Sequence, residues 1–252
     1  MICFPNAKIN LGLNVVSKRP DGYHKIESVF YPVDLCDALE IIDSEDGTTS
    51  FTQFGLKIDG NPEDNLVMRA YRLLAEDFPL PPLKIYLQKQ IPFGAGLGGG
   101  SSDAAFMLKL LNEFASLGLS DTQMEDYAAR IGADCAFFIR NRPALAEGIG
   151  NILTPIDLSL KKYRIEIEKP DVFVSTREAY SKIIPRRRGL PPAEVVKLPI
   201  AKWKKLLVND FEDSIFALHP EIAKLKQSFY DRGALYASMS GSGSAVYGIF
   251  KK

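Results

Sequence analysis

Residues 91–105 read IPFGAGLGGGSSDAA, with five glycines inside seven positions, then two serines and the start of a helical pattern. Glycines let the backbone take positive φ and let a ligand approach the main chain closely. Successive exposed N–H groups form an anion-binding concavity. The N-terminus of a helix behind them adds partial positive charge. The three together suit a phosphate chain. The residues placed to hold it are Pro92, Phe93, Gly94, Ala95, Gly96, Leu97, Gly98, Gly99, Gly100, Ser101 and Ser102.

Two better-known phosphate motifs fit poorly. Gly94, Gly96 and Gly99 match G-x-G-x-x-G, but the dinucleotide version also needs an acidic residue ~20 positions on that ends a second strand. Asp121 sits near that distance and opens a helix instead. Gly94 and Gly99 have the Walker A spacing, yet Gly100 stands where lysine is required. A purely structural glycine loop is the remaining alternative, and the serines and helix directly behind the loop argue against it.

Other residues offer chemistry less specifically. Lys8 and Asn10 alternate with Ile9, Leu11, Leu13 and Val15, so they share one face of a strand. That face reads equally as solvated or as part of a site. Tyr23 and His24 follow the turn Pro20-Asp21-Gly22, as a packed loop pair or as a ligand grip. Asp134 lies just past a helix that stops at Gly132, which by local sequence is a turn aspartate. Asp103 is expected to complement the helix dipole. His219, before Pro220, is expected to cap a helix or lie at the surface. Arg186-Arg187-Arg188 reads as a solvated loop.

The elements that position these residues follow from periodicity and caps. Strands are expected at Phe30–Leu35, Ala38–Ile42, Leu83–Leu87, Tyr163–Ile167, Tyr236–Met239 and Ala245–Phe250. The last two are joined by Ser240-Gly241-Ser242-Gly243-Ser244. Asp64 is read as the N-cap of a helix from Leu66 to Glu76. A second helix covers Ala104–Phe114. Ser120 with Gln123 forms a capping box for a helix over Asp121–Ile131. Ser175 with Glu178 forms another, leading to about Ile184, and a helix over Pro220–Arg232 stops at Gly233. Interleaving without a steady βαβ rhythm indicates α+β layers. A subdomain boundary is expected near Leu153–Leu160.

Composition bounds the rest. The 252 residues are 46% hydrophobic, enough for a substantial core in one large domain or two modest ones. Lys plus Arg equals Asp plus Glu, at 31 each, so no global field draws nucleic acid or anionic membrane. Three cysteines without a CxxC pair and two histidines argue against a Cys/His metal cluster and fit a reducing cytoplasm. The first ten residues lack a signal-peptide pattern, and no run of ~20 apolar residues is present.

P-x-x-x-G-L-G-x-S-S-x-A-A, here Pro92–Ala105 with one extra glycine, resembles the phosphate loop of the GHMP kinases, the superfamily of galactokinase, homoserine kinase and mevalonate kinase. The extra glycine is similar to one branch, which acts on a cytidine diphosphate-linked methylerythritol in the non-mevalonate isoprenoid pathway. Ala7–Leu11 with Arg19–His24, Glu63–Val67 with Arg69-Ala70, Ile131–Asp134 and Met239–Gly243 resemble further signatures of that branch, in order along the chain. The chain departs from the branch at Gly148-Ile149-Gly150-Asn151, where Gly-x-Gly-Glu is common, and over a short, divergent 169–205.

The resemblance implies an α+β, two-domain GHMP kinase fold. Its N-terminal half (1–155, ATP-binding) is ribosomal-protein-S5-domain-2-like, and its C-terminal half (156–252) is ferredoxin-like. It implies ATP with Mg, Asp134 as general base with Lys8 beside it, and Asn65 as an adenine contact or a helix-terminal hydrogen bond. Asn10, Tyr23, His24, Gly241, Ser242 and Gly243 are the implied substrate contacts. The implied enzyme is cytoplasmic, takes a small-molecule substrate rather than nucleic acid or membrane, and is a monomer or homodimer. Another GHMP kinase, of homoserine or mevalonate type, a non-catalytic nucleotide-binding regulator and a Rossmann oxidoreductase are the alternatives.

Overall fold

The computed structural model describes residues 1–57, 61–187 and 189–252. In chain order its elements are β1 (Ile2–Cys3), β2 (Asn6–Lys18), β3 (His24–Cys36), β4 (Ala38–Asp43), β5 (Ser50–Gly55), α1 (Leu66–Ala75), β6 (Leu83–Lys89), α2 (Gly99–Phe114), α3 (Asp121–Ile131) and α4 (Cys135–Arg140). There follow β7 (Ala144–Glu147), β8 (Ile152–Pro155), β9 (Tyr163–Glu168), α5 (Thr176–Ser181), α6 (Pro192–Val195), α7 (Trp203–Leu206), α8 (Glu212–Leu218), α9 (Pro220–Asp231), β10 (Tyr236–Met239) and β11 (Val246–Lys251). The chain folds into two compact units: Met1–Ala7, Asp34–Phe93 and Gly98–Arg142 in one, and Lys8–Val33, Gly94–Leu97 and Pro143–Lys252 in the other.

The first unit is a sheet in the order β1-β4-β6-β5 under four helices. Leu39, Ile41, Leu83, Ile85 and Leu87 recur at period two and are buried, while Glu40, Asp43 and Gln88 are exposed. Helix α2 packs on α1, α3 and α4 through Ala104, Ala105, Met107, Leu108 and Leu111. Its small residues let its backbone come close to its neighbours, and burial of its apolar face contributes roughly 25 cal/mol per Å². The Ser120/Gln123 capping box on α3 is present in both halves.

The second unit holds a sheet in the order β2-β3-β7-β8 and a second, antiparallel, in the order β10-β11-β9. Leu13, Val15, Ile26, Val174, Phe211, Ile215, Ile222, Phe229, Met239, Val246 and Phe250 share one core. Strand β2 differs from the half-buried strand its alternation indicates. Lys8, Asn10 and Asn14 are as buried as Ile9, Leu11 and Val15, so the polar face points into protein.

Several boundaries also move. The cap of α1 is Asn65, whose side chain accepts from the Val67 N–H at 2.9 Å, because Asp64 ends a 3₁₀ turn over Pro62–Asp64. Strand β3 starts six residues before Phe30, at His24. Helix α2 starts at Gly99, inside the glycine run. Ser175 caps α5 through Glu178 N–H at 3.1 Å, but the Glu178 carboxylate turns to His219 Nε2 at 2.8 Å instead of closing a capping box, and α5 ends at Ser181. His219 sits at the N-cap position of α9 without a side-chain cap bond. Arg186 pairs with Asp213 at the surface; Arg188 lies outside the described residues.

Candidate active site

The glycine loop is built as its composition demands. Gly94, Gly96 and Gly98 take φ of 61°, 74° and 71°, alternating with Ala95 and Leu97, which turn inward and are buried. Gly98 is the N-cap of α2 in the left-handed region. The Ser102 N–H makes the first intrahelical bond, to Gly98 O at 2.8 Å. Helix geometry therefore leaves the amides of Gly99, Gly100 and Ser101 without an intrahelical acceptor. The Ser102 hydroxyl is fully buried and has no hydrogen-bond partner among the described residues. Orphaned amides and a buried orphan hydroxyl at one helix start form a donor set that fits phosphate oxygens.

In the first unit Gly100 of this helix start lines a cavity of about 540 Å³, the size of a small-molecule site. Phe51, Gln53, Lys57, Asn65, Leu66, Phe93, Gly100 and Asp103 are among its walls. Asn65 therefore both caps α1 and lines the cavity. Asp103 is not a helix-dipole residue: it is buried and pairs with Lys89 Nζ at 2.7 Å. Lys89 also contacts Asp37, whose Oδ1 accepts from Gln90 N–H and from Ile91 N–H at 2.8 Å. Burial pushes the Asp103 carboxyl up to about 7, the Lys89 ammonium opposing and the Asp37 charge adding to the shift. The direction is physically sound because two carboxylates share one ammonium away from water. This triad brackets the loop, with Lys89 at the end of the strand before it and Asp103 in the helix after it.

Asp134 occupies the N-cap position of α4 and makes no side-chain cap bond to it. The next residue, Cys135, is linked through its thiol to the Ser101 side chain, and burial raises that thiol to about 11. The first unit thus brings the Asp134 turn up to the serine end of the loop. Among the described residues there is no group of three or more His, Cys, Asp or Glu side chains arranged to hold a metal ion.

In the second unit the polar face of β2 is wired into one network. Lys8 Nζ donates to Asn10 Oδ1 at 2.6 Å and lies 4.6 Å from the Phe30 ring centroid. Asn10 Nδ2 donates to Ser28 Oγ at 2.9 Å, which donates to Gly12 O. Ser240 accepts from Asn10 N–H at 3.2 Å and donates to Gly96 O at 2.9 Å. The Ser240–Ser244 turn therefore packs on the middle of the glycine loop. A Cβ on Gly96 would sit 1.9 Å from Ser240 O, so only glycine fits there. Gly241 and Gly243 are buried in this turn, and Ser242 is half-buried at its apex.

Tyr23 is 63% exposed. His24 stacks on Tyr180 at 4.8 Å, and Tyr180 in turn meets Phe211 edge-on at 4.8 Å. Desolvation, with Lys18 nearby, pushes the His24 imidazolium below its usual value and favours the neutral ring. Tyr180 comes from the divergent 169–205 stretch and was missed by sequence reasoning; an aromatic at α5 carries no motif. Asn151 also acquires an account, since its Oδ1 accepts from Ile149 N–H at 3.1 Å and closes the turn between β7 and β8. Gly148 O in that turn receives the Ile26 N–H at 2.8 Å.

Comparison with known proteins gives the family. The sequence models of the GHMP kinases N terminal domain and the GHMP kinases C terminal domain match residues 65–142 and 196–252. A 4-diphosphocytidyl-2-C-methyl-D-erythritol kinase of Bacteroides thetaiotaomicron is 62% identical over 253 residues, covering 100% of this chain and 92% of the relative. One of Cytophaga hutchinsonii is 51% identical over 99% of this chain and 92% of its own length. A crystal structure of 4-(cytidine 5'-diphospho)-2C-methyl-D-erythritol kinase superposes with a TM-score of 0.85 at 32% identity, covering 99% of this chain and 90% of that one. A homoserine kinase of Cytophaga hutchinsonii, 18% identical with a TM-score of 0.69 over 98% and 86% of the two chains, shares the fold. The chain belongs to the 4-diphosphocytidyl-2-C-methyl-D-erythritol kinases, within the GHMP kinases.

Proposed function

We propose that this protein transfers the γ-phosphoryl group of ATP to the 2-hydroxyl of 4-diphosphocytidyl-2-C-methyl-D-erythritol, a step of the non-mevalonate isoprenoid pathway. The observation that carries the chemistry is the helix start at Gly98–Ser102, where the first amides have no intrahelical acceptor and the buried Ser102 hydroxyl has no partner among the described residues. Phosphoryl transfer asks for positioning and charge neutralisation more than for covalent help. The loop residues Pro92–Ser102 hold the phosphates through main-chain N–H groups, and the adenine enters the cavity beside Asn65 and Phe93. Magnesium, when bound, neutralises phosphate charge, and the Ser101 and Ser102 hydroxyls fit it or the phosphate oxygens.

Asp134 takes the proton of the attacking hydroxyl, and Lys8 supplies the positive charge that stabilises the alkoxide character developing there. Asn10 orients the Lys8 ammonium through its Oδ1. The stacked pair His24–Tyr180 and the exposed Tyr23 ring offer flat apolar faces to a pyrimidine, and the neutral His24 offers hydrogen bonds. Gly241, Ser242 and Gly243 present a second main-chain surface to the substrate. The order of the two matched family segments supports a functional division near residue 155, the first lying wholly before it and the second wholly after it.

The test is ADP release with Mg-ATP and the cytidyl alcohol, for wild type and Asp134→Asn. Loss of ~10²–10⁴ in kcat is expected for removing a general base. A variant that turns over at the wild-type rate removes Asp134 from that role.

A further inference from the structure

Asn209-Asp210-Phe211-Glu212 runs into the start of α8 with three buried polar side chains, of which Asn209 and Glu212 reach the segments around the Ser240–Ser244 turn and Asp210 reaches β2. Asp210 Oδ2 accepts from Val15 N–H on β2 at 2.7 Å. Glu212 Oε1 accepts from Ser238 Oγ at 3.0 Å and Met239 N–H at 2.9 Å on β10. Asn209 reaches the turn itself: its Nδ2 donates to Met239 O at 2.9 Å and to Gly241 O at 2.8 Å. Its Oδ1 accepts from Phe211 N–H at 3.0 Å. All three hydrogen-bonding positions of the amide that the site offers are filled, at 3% exposure. Of the side chains of this size, only an amide supplies two donors and an acceptor at once; a carboxylate supplies no donor.

The turn that Asn209 grips has consequences beyond itself. Ser240 ties it to Asn10 N–H and Gly96 O, and Ala245 N–H bonds to Ala95 O at 3.2 Å. One neutral side chain therefore fixes the point where the Lys8–Asn10 strand, the middle of the phosphate loop and the Ser240–Ser244 turn meet. We propose that Asn209 is a positioning residue for phosphoryl transfer, acting through the carbonyls of Met239 and Gly241 to set the Ser240–Ser244 turn against Gly96 and Asn10. This rests on the kinase function above. Asn209 touches no reacting atom and has no charge to lend; its effect is geometric. Misplacement of a positioning element by about 1 Å is enough to lower a rate by ~10².

The test compares Asn209→Asp and Asn209→Ser with Phe229→Leu, which loosens the same core away from the turn. Two readouts are taken on each folded enzyme, well below its melting midpoint. The first is steady-state kinetics: kcat is expected to fall ~10²-fold in Asn209→Asp and less in Asn209→Ser, with KM for both substrates little changed. Phe229→Leu should lower the melting midpoint and leave kcat near wild type. The second is amide hydrogen exchange, which does not depend on the substrate's identity. Faster exchange is expected at Ser240, Gly243 and Ala245 in the Asn209 variants and not in Phe229→Leu. Should Asn209→Asp fail to fold, Asn209→Ser decides alone. Unchanged exchange at those three amides, or a kcat loss no larger than that of Phe229→Leu, overturns the positioning role. Absence of wild-type turnover with intact exchange differences would instead fault the assigned reaction.

Discussion

Gly96→Ala isolates the contact on which the loop depends. Gly96 has φ of 74°, a left-handed conformation that disfavours an L side chain by ~1–2 kcal/mol. Stiffening of the unfolded chain returns ~0.4–1 kcal/mol. Gly118→Ala meets only this backbone effect, because Gly118 has φ of 69° and a Cβ there meets nothing within 4 Å. A net loss of about 0–1.6 kcal/mol is expected for it. At Gly96 the new Cβ would lie 1.9 Å from Ser240 O and must retreat by more than 1 Å to reach even the 3.0 Å limit of real contacts. Overpacking of that kind adds ~1–3 kcal/mol, for a total of about 1–4.6 kcal/mol. The displacement falls on the loop proposed to hold the phosphates, so kcat should drop by ~10². Urea unfolding of both variants gives the stability difference, and ADP release gives the rate. If Gly96→Ala is no less stable than Gly118→Ala and keeps full turnover, then the packing of the Ser240 carbonyl on the loop does not govern phosphate placement.

Three further outcomes follow from other residues. Asp103 is raised from an unfolded value of 3.8 to about 7, so the folded state binds its proton more tightly. Its contribution to stability is full below pH ~4, declines as pH rises, and is lost above ~7. Asp103→Asn should flatten the fall in unfolding free energy between pH 4 and 7, measured by urea titration at several pH values; an unchanged slope would show that the carboxyl is ionised throughout. Tyr180→Ala removes the stacking partner of His24 and should raise KM for the cytidyl alcohol ~3–10-fold, the scale of one aromatic pair, while KM for ATP stays put. Equal effects on both substrates would argue for a merely structural Tyr180. Asn65→Ala should destabilise the protein by about 1 kcal/mol through loss of the α1 cap, whereas Asn65→Ser keeps a capping oxygen and the stability. If Asn65 also contacts adenine, both variants raise KM for ATP; a normal KM in Asn65→Ser confines Asn65 to capping.

Motifs with local physical signatures were legible in the sequence. The glycine run announces a left-handed loop, the Ser120/Gln123 box sets the start of α3, and the alternation in β6 gives its buried face. The start of α2 was hidden because glycines have the lowest helix propensity after proline, and here tertiary packing overrides it. Burial of both faces of β2 could not be read from alternation, since a polar face looks the same against water as inside a hydrogen-bonded network. Asp103 resembled a dipole residue until Lys89 and Asp37, distant in sequence, were placed around it. Glu178 was legible as a capping partner, but His219 competes for it from 41 residues away. Tyr180 and Asn209 carry no motif at all; the roles proposed for them come from what they touch. The Asn151 departure proved local: its side-chain oxygen reaches back to the Ile149 N–H and closes the hairpin turn without a carboxylate.

Initial rates of ADP release with Mg-ATP and, in parallel, 4-diphosphocytidyl-2-C-methyl-D-erythritol, homoserine and mevalonate test the assigned reaction most directly. Saturable turnover with the cytidyl alcohol alone, and ³¹P signals of a new phosphomonoester on its 2-hydroxyl, is the expected result. Turnover with homoserine or mevalonate and none with the cytidyl alcohol would contradict it, and would return Tyr23, His24 and Tyr180 to the role of packed aromatic residues.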